Sequence, residues 1–393
     1  MYDYIVVGAG YAGAICAREI AEKRNSKVLV IDRRPHIAGN MFDEMDESGI
    51  LVHRYGPHIS VMNSVRVFNY LSKFTDWIPY LHTVKAEIDN IEVPLPFNFT
   101  AIDYLFDTQK AINIKETLIS NYGEGANVPI LEMRKSSNPL IHELADFVYE
   151  KVFVHYTMKM WGLGPEEIDP SVTARIPVRL SYDNKHFMHK YQVMPKHGFT
   201  KLFESLLNHP NITIRLNTEA QNVIYLNSQN SKVYFEDQKY EGKLIYSGAL
   251  DELFSYDYGV LPYRSLDFKF DTYKTNHIQD STVLNWPDDR PATRRTEMKR
   301  LTQQDKEGIT STITEYPGAY NKDGNIFNEP YYPIVSTQCT MLYEQYKKRV
   351  KDFQQIYLVG RLADYKYYNM EATILRALDV ADLIISGKPQ EYL

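Results

Sequence analysis

The 393-residue chain is long enough for roughly two to three domains, and with 44% apolar residues it can bury a sizeable core. Its net charge of −6 argues against a general nucleic-acid or anionic-membrane partner, although a few local arginines still suffice for an anionic small ligand. Two cysteines, Cys16 and Cys339, are too few for a disulfide framework, and no metal site is expected. No run of about eighteen apolar residues suggests a membrane span, and no signal region opens the chain, so a cytoplasmic location is expected.

In chain order, Tyr4-Ile5-Val6-Val7 is a continuous apolar run, the pattern of a strand buried on both faces of a parallel sheet. Gly8-Ala9-Gly10-Tyr11-Ala12-Gly13 follows, Ala14 to Ala21 has helical apolar spacing, and Lys27 to Ile31 is a second strand ending at Asp32. From Asn98 to about Gly162 the signals are helical. Asn113 is a candidate cap for a helix that stops at Gly123, and Asn138-Pro139 starts another whose apolar face is Ile141, Leu144, Val148 and Val152. Residues 177 to 193 read as extended. His197-Gly198 then precedes an amphipathic helix with Leu202, Leu206 and Leu207, and Ile212 to Ile214 is a strand. Short strands fill much of 220–340, including Val223 to Leu226, Lys232 to Phe235 and Ile309 to Thr314. A strand from Ile356 to Val359, the turn Gly360-Arg361 and a helix from Met370 to Ser386 return to the opening style. The expected fold class is α/β.

The glycine string opens a helix directly after a strand, and an acidic residue ends the next strand; a GxGxxG pattern is informative in that context. Gly8 permits the tight turn, Gly10 lets the backbone approach a pyrophosphate at the helix N-terminus, and Gly13 lets helix and strand pack closely. Asp32 can accept hydrogen bonds from a ribose diol. The plainer alternative is glycines used only for packing in a doubly wound fold. One fingerprint only disfavours a reductase with separate FAD and NAD(P)H domains, and the long insertions with a C-terminal strand–Gly–Arg–helix favour FAD over NAD. The domains expected are a discontinuous, Rossmann-like FAD-binding domain (1–83, 194–254 and 351–393), a helical insertion (98–165), and an antiparallel sheet insertion with the substrate cleft (84–97, 166–193 and 255–350).

Five further blocks carry a resemblance. They are Arg54-Tyr55-Gly56-Pro57-His58-Ile59, Trp161-Gly162, Arg175-Ile176-Pro177-Val178-Arg179-Leu180, Glu329-Pro330-Tyr331-Tyr332-Pro333, and the run from Gly360-Arg361 to Tyr367-Tyr368. In order and spacing they resemble the bacterial UDP-galactopyranose mutases over the whole chain. The resemblance implies an isomerase interconverting the pyranose and furanose forms of a nucleoside-diphosphate sugar, of the UDP-galactopyranose to UDP-galactofuranose type, in polysaccharide biosynthesis. It implies FAD active when reduced, with N5 as the nucleophile toward the anomeric carbon and no net redox change. An external reductant and a homodimer are implied with it.

By the same resemblance, Arg175 and Arg294 match the diphosphate arginines, and with His58 they are the expected catalytic groups. Tyr332 and Tyr367 match the diphosphate tyrosines, Phe153 and Tyr156 positions that hold the base, and Asn285 one that hydrogen-bonds it. Trp161 and Arg175 lie on a segment resembling a mobile loop, with Gly162 and Gly164 as hinges. His58 is expected against the flavin, with Gly39, Asn40 and Arg361 near the cofactor. Read alone, the two arginines are ordinary solvated charges, Arg294-Arg295 with Lys299-Arg300 a basic helix face, and Trp161 a core residue.

Several pocket positions depart from the family pattern. Ser60-Val61 stands where Phe-His is common, His186 where a substrate-contacting tyrosine is expected, His82 for an asparagine and Asn369 for an aspartate. His186 and Asn369 remain expected substrate contacts. Because sugar-facing positions change while flavin and diphosphate positions persist, a dTDP-fucopyranose mutase using the same reaction is the close alternative. Readings from other classes are a flavin amine oxidase or sugar oxidoreductase, and a non-catalytic nucleotide-sugar binder.

Overall fold

The computed structural model describes residues 2–162 and 177–388 of the 393. Strand β1 (Tyr4–Val7) turns through glycines into helix α1 (Tyr11–Arg24) and continues to β2 (Val28–Ile31). Tyr4 and Val6 enter one core cluster while Ile5 and Val7 enter another, and Val28/Val30 and Leu29/Ile31 divide the same way. Both faces of these strands are therefore covered, so the run is apolar without alternation.

Strands β3 (Val84–Ile88) and β4 (Ile91–Pro94) form a hairpin before the helical region. Helix α2 (Thr108–Tyr122) begins earlier than Asn113 suggested, because the Asp107 side chain accepts from Lys110 N at 3.0 Å and caps it. Asn113 lies inside the helix and accepts from Gln109 Nε2 instead. The Asp107 start turns Ala111, Ile114 and Leu118 inward, and the helix ends before Gly123 as expected. Helix α3 (Pro139–Val148) is capped by Asn138 and runs through a π-helical turn, Tyr149–Val154, into α4 (His155–Trp161).

The 177–193 stretch is extended only at its ends, in strands Pro177–Arg179 and Tyr191–Pro195. Between them Arg179 Nη1 donates to the carbonyls of Asp183 and Lys185, which folds the chain into turns and delivers His186. Strand Tyr191–Pro195 pairs with Ser60–Met62 and Trp77–Pro79. Helix α5 (Phe199–Leu207) is capped by Asp43, whose carboxylate accepts from Phe199 N and Thr200 N.

Strands β5 (Ile212–Arg215) and β6 (Lys243–Tyr246) follow, then β7 (Tyr263–Tyr273), β8 (Val283–Asn285), β9 (Arg294–Glu297), β10 (Thr310–Ala319) and β11 (Tyr332–Pro333). The chain returns through β12 (Ile356–Leu358) to α6 (Met370–Ile385). A five-stranded sheet has the order β5-β2-β1-β6-β12, every neighbour parallel. A seven-stranded sheet has the order β11-β7-β10-β9-β8-β3-β4 and is antiparallel except at β8–β3. Among the described residues no helix is long and apolar enough to cross a membrane.

Gly8 and Gly13 set the geometry of the first turn. Gly8 has φ +100°, and a Cβ on Gly13 would overlap the carbonyl oxygen of Gly8. A Cβ on Gly10 would come no nearer to protein than Gly39 Cα at 3.7 Å, so the protein leaves that space open. Gly13→Ala is therefore expected to destabilise the cofactor-free chain by about 1–3 kcal/mol, and Gly10→Ala by less than about 1 kcal/mol. Denaturant melts of the cofactor-free variants check the contrast; equal losses would refute it.

Candidate active site

A cavity of about 250 Å³ lies at the carboxyl end of the parallel sheet and is lined by Gly8, Gly10, Asp32, Gly39 and Asn40. Helix α1 starts there at Gly10, with no side-chain cap and no acidic residue in its first turn. Its free N–H groups are thus left for an anion. Asp32 Oδ2 accepts from Ala9 N at 2.7 Å and Oδ1 from Arg34 N at 2.9 Å. These bonds pin the glycine turn to the end of β2 and leave further lone-pair sites on the carboxylate. Gly13 does not line the cavity; its place is at the helix–strand contact.

A second cavity of about 490 Å³ adjoins the first, and Asn40, His58, Tyr331, Arg361 and Met370 line both. Met370 opens α6, so that helix directs its N-terminus at the junction, where Asn369 Oδ1 caps it by accepting from Ala372 N. Arg361 is held by the carbonyls of Tyr331 and Tyr368 and stacks over Tyr332 and Tyr367 at 5.1 and 5.6 Å.

The larger cavity gathers side chains from distant segments. The π-helical turn and α4 supply Phe153, Tyr156 and Trp161, and the Trp161 and Tyr367 rings lie 6.3 Å apart. The seven-stranded sheet supplies Asn285 on β8 and Arg294 on β9, directly opposite in register. Arg294 is neither a solvated charge nor on a helix face: its Nε donates to buried Glu315 on β10 at 2.7 Å. Tyr332, Tyr367, His186 and Asn369 complete the described candidates lining this cavity. Arg175 and Gly164 lie outside the described residues. Gly162, with φ +66°, ends α4. Asn285 Oδ1 and His58 Nδ1 are buried without a partner among the described residues, which leaves each open to a ligand.

Two carboxylates escaped notice in the sequence. Glu315 orients Arg294, and Glu329 Oε2 accepts from both Arg33 and Arg34. Glu315 could have been suspected as the one acid in Thr310–Ile313–Glu315, an otherwise uncharged run on a core strand. Glu329 stands in a quoted block, but nothing local reveals its arginine partners, almost 300 residues away.

Comparisons with known proteins bear on the family and the fold. A family model described as UDP-galactopyranose mutase matches residues 151–367, and one described as an NAD(P)-binding Rossmann-like domain matches residues 6–74. A UDP-galactopyranose mutase of Mycoplasma pneumoniae is 34% identical, over 98% of this chain and 96% of its own. A dTDP-fucopyranose mutase of Escherichia coli is 33% identical, over 99% and 100%. A crystal structure of a reduced UDP-galactopyranose mutase matches with a TM-score of 0.70 at 15% identity, covering 98% of this chain and 96% of that one, a likeness of fold. The chain belongs to the UDP-galactopyranose mutase family, and it is an isomerase of the nucleotide-sugar mutase type.

The site is electrostatically divided. Burial, then His53 and Arg361, holds the His58 pKa well below the ordinary histidine value; burial, then His186 and Arg294, does the same for His82. Burial disfavours the charge on Arg294, but the attraction and hydrogen bond of Glu315, with Tyr156 and Tyr332, together more than offset it and the guanidinium stays protonated. Burial pushes the Tyr332 phenol up to about 12 despite Arg361, so it remains a donor.

Stability should follow these shifts. His36, His53, His58, His82 and His186 are all lowered, so they are neutral when folded but titrate near about 6.5 when unfolded. Below that pH the unfolded chain binds more protons, and stability falls as pH falls. Asp251 and Glu252, raised by burial, act with the opposite sign but are fewer. The thermal midpoint is expected to be nearly flat above about pH 7 and to fall steadily toward about pH 5.5. A midpoint that rises on acidification would show that the raised acids dominate.

Proposed function

We propose that the chain interconverts UDP-galactopyranose and UDP-galactofuranose, with FAD in the smaller cavity and the nucleotide sugar in the larger. The observation that carries this reading is the shared wall. His58, Arg361 and Tyr331 border both cavities, and Arg294, a charge on a rigid strand, lies within the larger one. For the cofactor, the bare α1 N-terminus suits a pyrophosphate, Gly10 leaves room for it, and Asp32 keeps lone pairs for a ribose. Gly39, Asn40, His58 and Arg361 complete that site. Reduced FAD supplies an electron pair toward the anomeric carbon, so that the diphosphate can leave and later return.

The chain's own residues supply binding and charge. Arg294, with Arg175, neutralises the leaving diphosphate, and the Tyr332 and Tyr367 hydroxyls donate to its oxygens. Phe153 and Tyr156 hold the base and Asn285 hydrogen-bonds its edge. Trp161 closes the wall beside Tyr367, and Asn369, as cap of α6, keeps a helix N-terminus aimed at the phosphates. Neutral His58 faces the cofactor without adding a competing cation.

In this reading the segments form three parts: a cofactor-binding part (1–83, 194–254, 351–393), a helical part (98–165) and a sheet part (84–97, 166–193, 255–350). Strand Tyr191–Pro195 belongs with the first by its pairing. The reading includes a homodimer, an external reductant and a cytoplasmic setting, where reducing equivalents are available to keep a flavin reduced.

Purified protein is expected to be yellow and to release FAD on denaturation. Conversion of UDP-galactose, assayed by chromatography beside dTDP-fucose, is expected only after dithionite reduction and without its stoichiometric consumption. Full activity with oxidised flavin would overturn the reading, and turnover of dTDP-fucose alone would change the substrate.

Arg294→Ala is expected to lower kcat/KM by about tenfold to a hundredfold or more at unchanged flavin content. Because that variant strands the buried Glu315 carboxylate, the double variant with Glu315→Gln is measured beside it. If either keeps near-native turnover, Arg294 does not hold the diphosphate.

A further inference from the structure

The larger cavity contains, in His186, a polar group that the family resemblance does not explain. His186 lies in the turns after Arg179, half-buried, with its backbone N–H donating to the His82 carbonyl at 3.3 Å. Its Nδ1 is 3.0 Å from the carbonyl oxygen of Leu95. A carbonyl can only accept, so Nδ1 carries the proton in this contact. In the neutral ring Nε2 is then a bare lone pair, and it has no hydrogen-bond partner among the described residues.

Burial lowers the His186 pKa, the Leu95 carbonyl acts in the other direction, and Arg294 then lowers it further. The tautomer is thus set by the backbone, and the neutral state by burial and a nearby cation. The ring itself is fixed by its neighbours: His82 meets it edge-on at 5.5 Å and 86°, and Phe187 at 4.7 Å and 80°. The same cavity is also lined by Val61, Val84, Ala86, Leu95 and Val283.

A nucleotide sugar has four parts that can meet such a lone pair: base, ribose, diphosphate and sugar. The diphosphate offers only acceptors at neutral pH and would be repelled by it. The base can offer an N–H and the ribose its hydroxyls, but both belong to the nucleotide, for which Asn285, Phe153 and Tyr156 stand on other elements of the cavity. A sugar hydroxyl is a donor that suits the lone pair and leaves the nucleotide to the groups just named.

We propose that His186 determines sugar specificity in this chain: its Nε2 accepts a hydrogen bond from one hydroxyl of the substrate's sugar, so the site selects a donor at that one position. This rests on the nucleotide-sugar reading of the cavity and deepens it. A tyrosine there offers a hydroxyl that can both donate and accept, whereas this imidazole can only accept. An analogue without that hydroxyl would leave the acceptor unpaired once the sugar has displaced water from it, which is how a site rejects a close relative of its substrate.

The test is binding by titration calorimetry to FAD-loaded protein, using UDP, UDP-galactose and its monodeoxy analogues. Wild type, His186→Gln and His186→Phe are compared, each checked for flavin content and thermal midpoint. In wild type one monodeoxy analogue is expected to bind about tenfold more weakly than UDP-galactose. His186→Phe should lose that discrimination, with UDP-galactose falling to the level of the analogue. His186→Gln, whose amide oxygen can accept, should recover most of it, and UDP affinity should be unchanged in all three. The proposal is overturned if His186→Phe weakens UDP as much as UDP-galactose, since the contact is then with the nucleotide. It is equally overturned if the discrimination survives in His186→Phe or is absent from wild type. Should His186→Phe fail to fold, a His186→Gln variant that loses discrimination while keeping its flavin refutes the hydrogen bond. Wild type that binds neither UDP nor UDP-galactose refutes the functional reading itself.

Discussion

The carboxylate of Asp32 accepts from the backbone of Ala9 on one oxygen and of Arg34 on the other, and so joins the glycine turn to the end of β2. That join holds helix α1 at a distance from β1 that only glycine at position 13 allows. The bare helix N-terminus is thereby fixed at the carboxyl edge of the sheet, where strands β6 and β12 bring Ser247 and Gly360 close to the same turn. The smaller cavity is the space this arrangement leaves. The larger one opens from it because Arg361, directly after Gly360, is tethered to the carbonyls of Tyr331 and Tyr368.

Charge is buried around both cavities, in ion pairs between segments far apart in the chain. Arg294 and Glu315 face each other because β9 pairs antiparallel with β10 at those positions. Arg33 and Arg34 converge on one oxygen of Glu329, which ties the end of β2 to the segment carrying Tyr331 and Tyr332. A buried ion pair is weak evidence for stability, since desolvation offsets much of the attraction. In the proposed reading its use is orientation: a guanidinium held by a carboxylate on a rigid sheet would meet a phosphate with little reorganisation. His58, His82 and His186 line the same cavity with pKa values lowered chiefly by burial, so they add little to the positive charge of Arg294 and Arg361.

Much of this was legible in the residues. The opening βαβ unit, the helix after Asn138-Pro139 and the closing strand–turn–helix all depend on local patterns: continuous apolar runs, caps and turn glycines. Where two local signals competed, the choice went to packing. Asp107 rather than Asn113 caps α2 because that start turns Ala111, Ile114 and Leu118 toward the core. Residues 180–190 read as extended but form turns, because Arg179 gathers the carbonyls of Asp183 and Lys185. No propensity scale contains such a bond.

The sequence by itself determined that a dinucleotide-type turn opens the chain, that strand and helix patterns of an α/β fold stand at both its ends, and which blocks resemble a family. Each of these is written in short-range spacing, and short-range spacing is what dictates helix, strand and turn. Only the tertiary structure decided that Arg294 is oriented by Glu315 and that Arg33 and Arg34 share Glu329. It also decided that Asn369 caps the helix facing the junction and that the Leu95 carbonyl sets the tautomer of His186. Except for the Asn369 cap, these depend on contacts between segments from 21 to 296 residues apart, which no local pattern encodes. They arise when burial brings polar groups together and the cost of leaving them unpaired selects the partner.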